Sequence, residues 1–359
     1  MEEHRSQLAT IQEEFKAQLR TEWTRKVACE RECDPDAECV CQRHFIHTEK
    51  LESWMNRQDS EDLPNTKASR LLAELHDKIK NHRVFGLPLD SAPIFTGENR
   101  SLIMFSMLLD QDRGDLIDIF HNVKMCDKYL DASEELYKAF RPALQKKLQE
   151  IGRSDSEVNE IIETVGRERW AYCSPVGQFT LHMDTNFEGG KAVMPFCRRM
   201  RVNNKGGTAS VFWVAVQEDL IKDQKLRAAL GKSLYPDPEF GPCYQMALKS
   251  YREEMKTFFD GEKEAFSGLK YDPDTHIVRY LGSYSHNNGD KTDGKTYNLL
   301  LEFGEKDLEE YCADLTNVPP VRASEIIRFW ESLFEVATAV EKIHNLSIKQ
   351  GSRTSHYNG

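Results

Sequence analysis

A Gly-Gly pair between two strand-like runs is the feature that most constrains how this chain folds. The run Asn204-Lys-Gly-Gly-Thr-Ala-Ser-Val211 lies between Val202 and the apolar stretch 211–216. Gly206 and Gly207 permit a tight turn, and because they carry no side chain they let backbone N–H groups approach a bound anion closely. An ordinary β-hairpin explains the same residues equally well. The segments that follow separate the two interpretations.

The next strand-like segment ends in a lysine, and an acidic helix-like segment follows it. Residues 244–249 read Tyr-Gln-Met-Ala-Leu-Lys, with Ala247 two positions before Lys249. In the segment 262–269, apolar residues lie four and seven positions after Glu262, on the same helix face. We therefore expect Glu262 to pair with Lys249, although the interval between them is short. Two other acidic residues are alternatives for this role: Glu254 and Glu264.

Three further segments follow in a definite order. Residues 276–282 and 297–304 have the composition of strands, and residues 307–311 predict a short helix. Pro319-Pro320 then breaks the chain before a long amphipathic helix. The apolar residues of that helix lie on one stripe: Ile326, Trp330, Leu333, Ala337, Val340 and Ile343.

In this order the segments resemble a eukaryotic protein-kinase domain over roughly residues 195–346. The glycine turn is similar to the kinase Gly-rich loop, and Ala247-Leu-Lys249 to the Val-Ala-Ile-Lys strand. The sequence departs from that loop at its first glycine position, which is Asn204, and at its third, which is Ala209. More narrowly, the chain resembles filamentous-fungal kinase-like proteins with a helical N-terminal region, in which a motif like Glu168-Arg-Trp-Ala-Tyr-Cys173 precedes the loop.

The resemblance implies a site for ATP. Lys249 would contact the phosphates and Glu262 would orient Lys249. The backbone from Glu302 to Gly304 would bond the adenine, and Leu301 would lie at the back of the pocket. The remaining residues implied to surround the nucleotide are Asn204, Gly206, Gly207, Ala209, Val211 and Ala247.

The residues that complete phosphoryl transfer have no counterpart in the sequence. Transfer needs an Asp to orient the substrate hydroxyl, and an Asn and an Asp to hold Mg²⁺. Glu302-Phe-Gly304 and His182-Met-Asp184 look like two of these motifs, but both stand before the position that they require. Beyond His344 no match follows, so the cofactors implied are ATP and Mg²⁺ but the magnesium ligands are missing. We expect a fragment or truncated gene product that binds ATP at most.

Composition limits the other possibilities. A net charge of −11 argues against a nucleic-acid partner, and a hydrophobic fraction of 39% fits a folded chain. The N-terminus has no apolar signal-peptide core, and the longest apolar run, 102–109, is too short to span a bilayer. We therefore expect a cytoplasmic or nuclear protein without a membrane partner.

A cysteine cluster near the N-terminus leaves two interpretations open. Zinc-ligand residue types gather there: Cys29, Cys33, Cys39, Cys41, His44 and His47. Their spacing lacks the close Cys-x-x-Cys pairs of recognisable zinc sites. Thiols on a polar connection between helices explain them as well.

We expect an α+β protein with a helical N-terminal domain, a kinase-like N-lobe of five antiparallel strands with one helix, and a truncated helical C-lobe. Apolar residues every three or four positions predict a helix over residues 3–26 and helices over 68–165. The domain boundaries expected are 1–60 for the N-terminal helical and cysteine-containing segment, 61–165 for the helical domain, 166–200 for a connection, and 201–359 for the partial kinase domain.

Three functions remain in competition. The first is a protein serine/threonine kinase, incomplete in this chain. The second is a truncated pseudokinase that acts as a non-catalytic scaffold through its helical N-terminal domain. The third is a structural α+β protein whose Gly-Gly turn is coincidental. Nucleotide binding separates the third function from the first two, and phosphate transfer separates the first from the second.

Overall fold

The computed structural model describes residues 11–26, 28–29, 44–58, 66–80, 94–187, 192–203, 207–269, 277–287, 295–306, 308–314, 316, 320–345, 347–350 and 353–356. The protein is of the α+β class, and it divides into two compact units. The first unit takes its residues from Met1–Val27, Pro35–Pro175 and Lys191–Pro195. The second takes them from Ala28–Asp34, Val176–Gly190 and Phe196–Gly359.

The first unit is mainly helical. Its helices are α1 over residues 11–18, which continues as a π-helical turn Leu19–Trp23, then α2 Thr48–Met55, α3 Lys67–Lys80, α4 Leu102–Asp110, α5 Ile117–Asn122, α6 Glu134–Glu150 and α7 Asp155–Tyr172. Strands β1 Thr24–Lys26 and β3 His44–Ile46 form an antiparallel pair. Short 3₁₀ turns lie at Gly114–Leu116 and Asp127–Tyr129.

Helix α4 is the centre of the first unit because nearly every one of its side chains is apolar. All eight residues from Leu102 to Leu109 are buried, which is the arrangement expected of a helix that is hydrophobic all round. Its N-terminus is capped from a distance, since the Asp127 carboxylate accepts bonds from the N–H groups of Leu102, Ile103 and Met104 at 3.0, 3.2 and 2.9 Å. A single acidic side chain therefore fixes where the central helix begins.

The N-terminal helix packs through the stripe expected from its sequence. Ile11, Phe15, Leu19 and Trp23 are buried, and the rings of Phe15, Trp23 and Trp54 lie 5.6–5.9 Å apart. The helical conformation ends at Trp23, because residues 24–26 leave it to pair with β3. The predicted helix over 3–26 is thus about one turn too long at its C-terminal end, and residues 3–10 lie outside the described chain.

The second unit contains an eight-stranded sheet. Its strands are β2 Ala28–Cys29, β4 Met183–Phe187, β5 Arg198–Asn203, β6 Ser210–Gln217, β7 Leu234–Asp237, β8 Gly241–Tyr251, β9 Tyr280–Asn287 and β10 Lys295–Glu302. The order is β2-β5-β6-β8-β10-β9-β4, with β7 paired to part of β8. Five neighbouring strands, β5, β6, β8, β10 and β9, are antiparallel throughout, whereas β2 and β4 add to the two sides in parallel.

The helices of the second unit are α8 Gln224–Ala229, α9 Lys256–Leu269, α10 Leu308–Ala313 and α11 Ala323–His344. Short 3₁₀ turns lie at Val176–Gln178, Glu218–Leu220, Gly231–Ser233 and Glu253–Met255, and β11 Ser347–Gln350 pairs with β12 Arg353–His356. Helix α9 packs on the sheet through Phe259, whose ring lies 5.8 Å from that of Tyr251 and 5.2 Å from that of Tyr297.

Several boundaries differ from those expected. Helix α7 continues to Tyr172, and the segment 166–200 also contains the sheet strand β4. The strand expected over 276–282 begins at Tyr280, and the lysine strand runs from Gly241 to Tyr251 because its first residues pair with β7. These differences arise where pairing with a distant strand decides the conformation.

Helix α11 keeps its apolar stripe exposed. Ile326 is 40% exposed, Trp330 56% and Val340 46%, and Ala339 is its one buried residue. Large exposed apolar side chains on one helix are unusual for a folded unit. Over the described part of the chain, no helix combines the length and apolar character needed to cross a membrane.

Candidate functional site

An ion pair between β8 and α9 lies at the centre of the candidate site. The Lys249 ammonium donates to both carboxylate oxygens of Glu262, at 2.9 Å to Oε1 and 2.7 Å to Oε2. Each of the two side chains is 28% exposed, so the pair is partly shielded from water but open on one side. The expected pairing of Lys249 with Glu262 is therefore present, and neither Glu254 nor Glu264 takes its place.

A tyrosine shares the same carboxylate. Tyr251 follows Lys249 by two positions, so both side chains lie on one face of β8, and its hydroxyl donates to Oε2 of Glu262. Burial, followed by the bond to the Glu262 carboxylate, raises the pKa of the Tyr251 phenol well above its usual value. The phenol stays neutral and remains a hydrogen-bond donor. Glu262 is thus held by one charged and one uncharged donor.

The position of Glu262 depends on how α9 packs. Phe259 is buried between Tyr251 and Tyr297, and Phe266 stacks on Tyr280 with ring centres 5.9 Å apart. Glu262 lies between these two rings along the helix, three positions after one and four before the other, so all three share a face. The aromatic contacts therefore direct the carboxylate towards β8.

The glycine turn joins β5 and β6 next to the lysine strand. Val211 pairs with Lys249 in the antiparallel register, and Lys249 pairs on its other side with Leu299. Ala209 is half-buried against the aromatic cluster of Tyr251, Phe259 and their neighbours. Asn204 and Gly206, both expected to contact the nucleotide, lie outside the described residues.

Gly207 is described, and nothing in the fold requires a glycine there. Its φ lies outside the left-handed region among the described residues, and a Cβ placed on it would meet no atom within 4 Å. A side chain would therefore fit the protein itself. The glycine keeps open a surface beside Val211 and Lys249, as a ligand that approaches the backbone would need.

Ala247 and Leu301 lie side by side. They are paired across β8 and β10, and Leu301 is 8% exposed. Both contribute to the aromatic cluster that contains Tyr251 and Tyr280. The structure thus brings these two expected pocket residues together, on the same face of the sheet as Lys249.

The segment that follows β10 is partly committed to the sheet. The N–H of Glu302 donates to the carbonyl of Arg279 at 2.9 Å, and the N–H of Arg279 donates to the Glu302 carboxylate at 3.4 Å. Any adenine contact made by the Glu302 backbone would therefore use its carbonyl. A Cβ on Gly304 would meet no atom within 4 Å, so this backbone is open to a ligand.

Two other expectations concern residues away from this site. Asp184 of His182-Met-Asp184 lies in β4, where it pairs with Lys263, so this motif is a strand as expected. The cysteine cluster cannot be placed: Cys33, Cys39 and Cys41 are outside the described chain, as is the side chain of Cys29. The part of the chain that is described contains no group of three or more metal-ligand residues.

Sequence reasoning missed Tyr251 and the strand β4. Tyr251 had a signal, since a strand periodicity of two places it on the same face as Lys249 and Ala247. Strand β4 reads Met-Asp-Thr-Asn-Phe, with three polar residues in succession, and carries no apolar alternation by which to find it.

The chain was also compared with known proteins. No protein-family model matches it, and no curated protein matches it.

Proposed function

We propose that the second unit binds ATP and is the nucleotide-binding part of a protein-kinase-family domain, whose complete members transfer the γ-phosphate to serine or threonine of a protein. The ion pair between Lys249 and Glu262 carries the proposal. In protein kinases the phosphate-binding lysine lies on the third strand and pairs with a glutamate of the helix that follows. Here Lys249 lies on the third of five antiparallel strands in chain order, and Glu262 lies on the next α-helix.

The pair suits the recognition of a polyphosphate. An ammonium is a compact positive charge that attracts phosphate oxygens, and a carboxylate beside it keeps it protonated and limits its conformations. The 28% exposure of Lys249 leaves room for a phosphate to approach while Glu262 holds the side chain in place. Because Glu262 also accepts from Tyr251, the carboxylate has a partner during any shift of Lys249 towards a ligand.

The surroundings of the pair support a nucleotide rather than a free phosphate. Gly207 gives the backbone an open approach on one side of Lys249. Val211, Ala247 and Leu301 provide apolar surface for a base, and the backbone from Glu302 to Gly304 provides polar atoms at its edge. Apolar walls with a few directed polar groups are typical of small-molecule sites.

The residues described here do not fit a magnesium site of their own. The carboxylate nearest to the proposed phosphate position, Glu262, is already bonded by Lys249 and Tyr251. We therefore assign no metal ligand and no transfer step to this chain, and restrict the proposal to nucleotide binding.

Titration with ATP and with a fluorescent ATP analogue, each with and without Mg²⁺, tests the proposal. Lys249→Met should weaken binding about tenfold or more, since a charge-assisted hydrogen bond is worth roughly 1.5–3 kcal/mol. Lys256→Met is the matched control, because Lys256 pairs with Asp260 within α9 and lies outside the proposed pocket. Equal affinity of the wild type and Lys249→Met would overturn the proposal, as would absence of nucleotide binding by the folded wild type.

A phosphate-transfer assay with the purified chain and a general protein substrate distinguishes the two kinase-like alternatives. We expect no transfer above the Lys249→Met background. Transfer that depends on Lys249 would show an active kinase instead of a nucleotide-binding chain.

A further inference from the structure

Helix α9 is held on the sheet by a second set of contacts, from strand β4. Lys263, the residue after Glu262, donates to Oδ1 of Asp184 at 2.6 Å. The hydroxyl of Ser283 on β9 donates to the same oxygen at 3.1 Å. Asp184 therefore connects the helix that carries Glu262 to the β4–β9 side of the sheet.

A column of three rings makes a parallel connection. His182, just before β4, stacks on Tyr280 with ring centres 6.0 Å apart and an interplanar angle of 9°. Tyr280 in turn stacks on Phe266 of α9 at 5.9 Å and 14°. The start of β4 is thus linked to the helix through β9, one turn beyond Glu262.

Residue 282 shows that β4 is fitted to this place. Gly282 on β9 pairs with Met183 on β4. A Cβ at this glycine would lie 2.8 Å from the Met183 side chain and 3.0 and 3.1 Å from its backbone oxygen and nitrogen. Because backbone atoms cannot give way as a flexible side chain can, any larger residue at 282 would displace β4.

We propose that β4, through Asp184, is a positioning element that sets the orientation of α9 and so holds Glu262 against Lys249. This inference rests on the proposed function, since it assigns a control element to that same site. Asp184 touches neither Lys249 nor the proposed nucleotide position; it acts through Lys263 on the helix. Release of β4 lets α9 rotate, and the Glu262 carboxylate then leaves the lysine.

The expected effect is modest because Asp184 is 64% exposed and its ion pair with Lys263 is screened by water. Asp184→Ala should weaken binding of the fluorescent ATP analogue about two- to fivefold, with the loss reduced at high salt. Gly282→Val should weaken it further, since it moves the whole strand without changing a charge. Lys256→Met, which removes a charge from the same helix at a pair internal to it, should leave binding unchanged.

A second readout needs no nucleotide. The rate at which an amine-reactive acetylating reagent modifies Lys249, followed by mass spectrometry, reports whether Glu262 still holds the ammonium protonated. Asp184→Ala and Gly282→Val should raise this rate, and Lys256→Met should not. Far-UV circular dichroism must show that each variant remains folded.

The decisive comparison repeats Asp184→Ala in a Glu262→Gln background. If Asp184 acts through Glu262, the second substitution adds no further loss of affinity and no further rise in Lys249 acetylation. Equal effects of Asp184→Ala in both backgrounds, or unchanged acetylation in Asp184→Ala alone, would overturn the inference. If the wild type binds no ATP, the proposed function fails, and the acetylation rates still decide whether β4 positions the ion pair.

Discussion

The two units each fix an acidic side chain, but they do so with donors of different kinds. In the helical unit, Asp127 accepts from three backbone N–H groups at the start of α4, and its side chain is 8% exposed. In the sheet unit, Glu262 accepts from the side chains of Lys249 and Tyr251 and is 28% exposed. Backbone donors cannot leave without unfolding the helix, whereas side-chain donors can move. The first arrangement serves stability, and the second is suited to a ligand.

The largest effect expected from this comparison is that of Asp127→Ala on the helical unit. The substitution leaves three N–H groups at the buried start of α4 without their acceptor, and each such group costs about 1–3 kcal/mol. We expect the free energy of unfolding to fall by about 3–5 kcal/mol, measured by urea denaturation followed by far-UV circular dichroism. The matched control is Asp155→Ala, at the exposed start of α7. A loss below about 1 kcal/mol would show that the cap is dispensable.

The pH dependence of the same carboxylate gives the next largest effect. Burial raises the pKa of Asp127 to about 6, against the opposing influence of the Met104 and Ile103 N–H groups and of Arg100. The folded state therefore binds this proton more tightly than the unfolded state, in which the pKa is about 3.9. Its stabilising contribution is present below about pH 4 and is lost as the pH rises through about 6, by up to roughly 3 kcal/mol.

Asp127→Asn isolates this contribution because it removes the titrating group. The difference in unfolding free energy between the wild type and the variant, measured at several pH values from about 4 to 7, should shift against the wild type as the pH rises. A constant difference across this range would contradict the raised pKa.

Glu262→Gln should reverse the pattern seen at Asp127. Because the pair with Lys249 is partly exposed, its removal should change the unfolding free energy of the sheet unit by less than about 1 kcal/mol. The affinity for ATP should nevertheless fall several-fold, since the lysine loses its orientation. Calorimetric titration and denaturation of the same sample provide both values. A large loss of stability without loss of affinity would place Glu262 among the structural residues.

Tyr251→Phe is the smallest change expected. It removes one hydrogen bond to Glu262 and keeps the buried ring that packs on Phe259. We expect a loss of about 1 kcal/mol in stability or less, and a change of less than about threefold in ATP affinity. Lys249 should be acetylated slightly faster in this variant, because the carboxylate has lost one of its two donors. A Tyr251→Phe protein that no longer binds ATP would indicate direct contact between the phenol and the nucleotide.

The sequence predicts these features to the extent that the interactions are local. The continuous apolar run 102–109 identifies α4, and the spacing of Lys249, Glu262 and the aromatic residues of α9 identifies the ion pair. The cap of α4 lies 25 residues after Leu102, and nothing in the spacing points to Asp127. Tertiary contacts of this kind leave no periodic signal.

Strand β4 illustrates the same limit within the sheet. It pairs in parallel with β9, almost 100 residues later, and Asp184 and Ser283 are 99 residues apart. Its polar residues would suit a loop equally well. Only at Gly282 does the sequence record the pairing, and a single glycine in a strand has several explanations.

The exposed stripe of α11 affects how the protein can be studied. Dyes that fluoresce on contact with apolar surface bind folded proteins wherever such surface is accessible, and Trp330 at 56% exposure and Phe334 at 69% provide it. A dye-based melting curve of this chain should therefore begin at high fluorescence and show little further rise on heating. Label-free signals such as ellipticity avoid this background, and quenching of Trp330 emission by acrylamide measures how accessible the stripe is in solution.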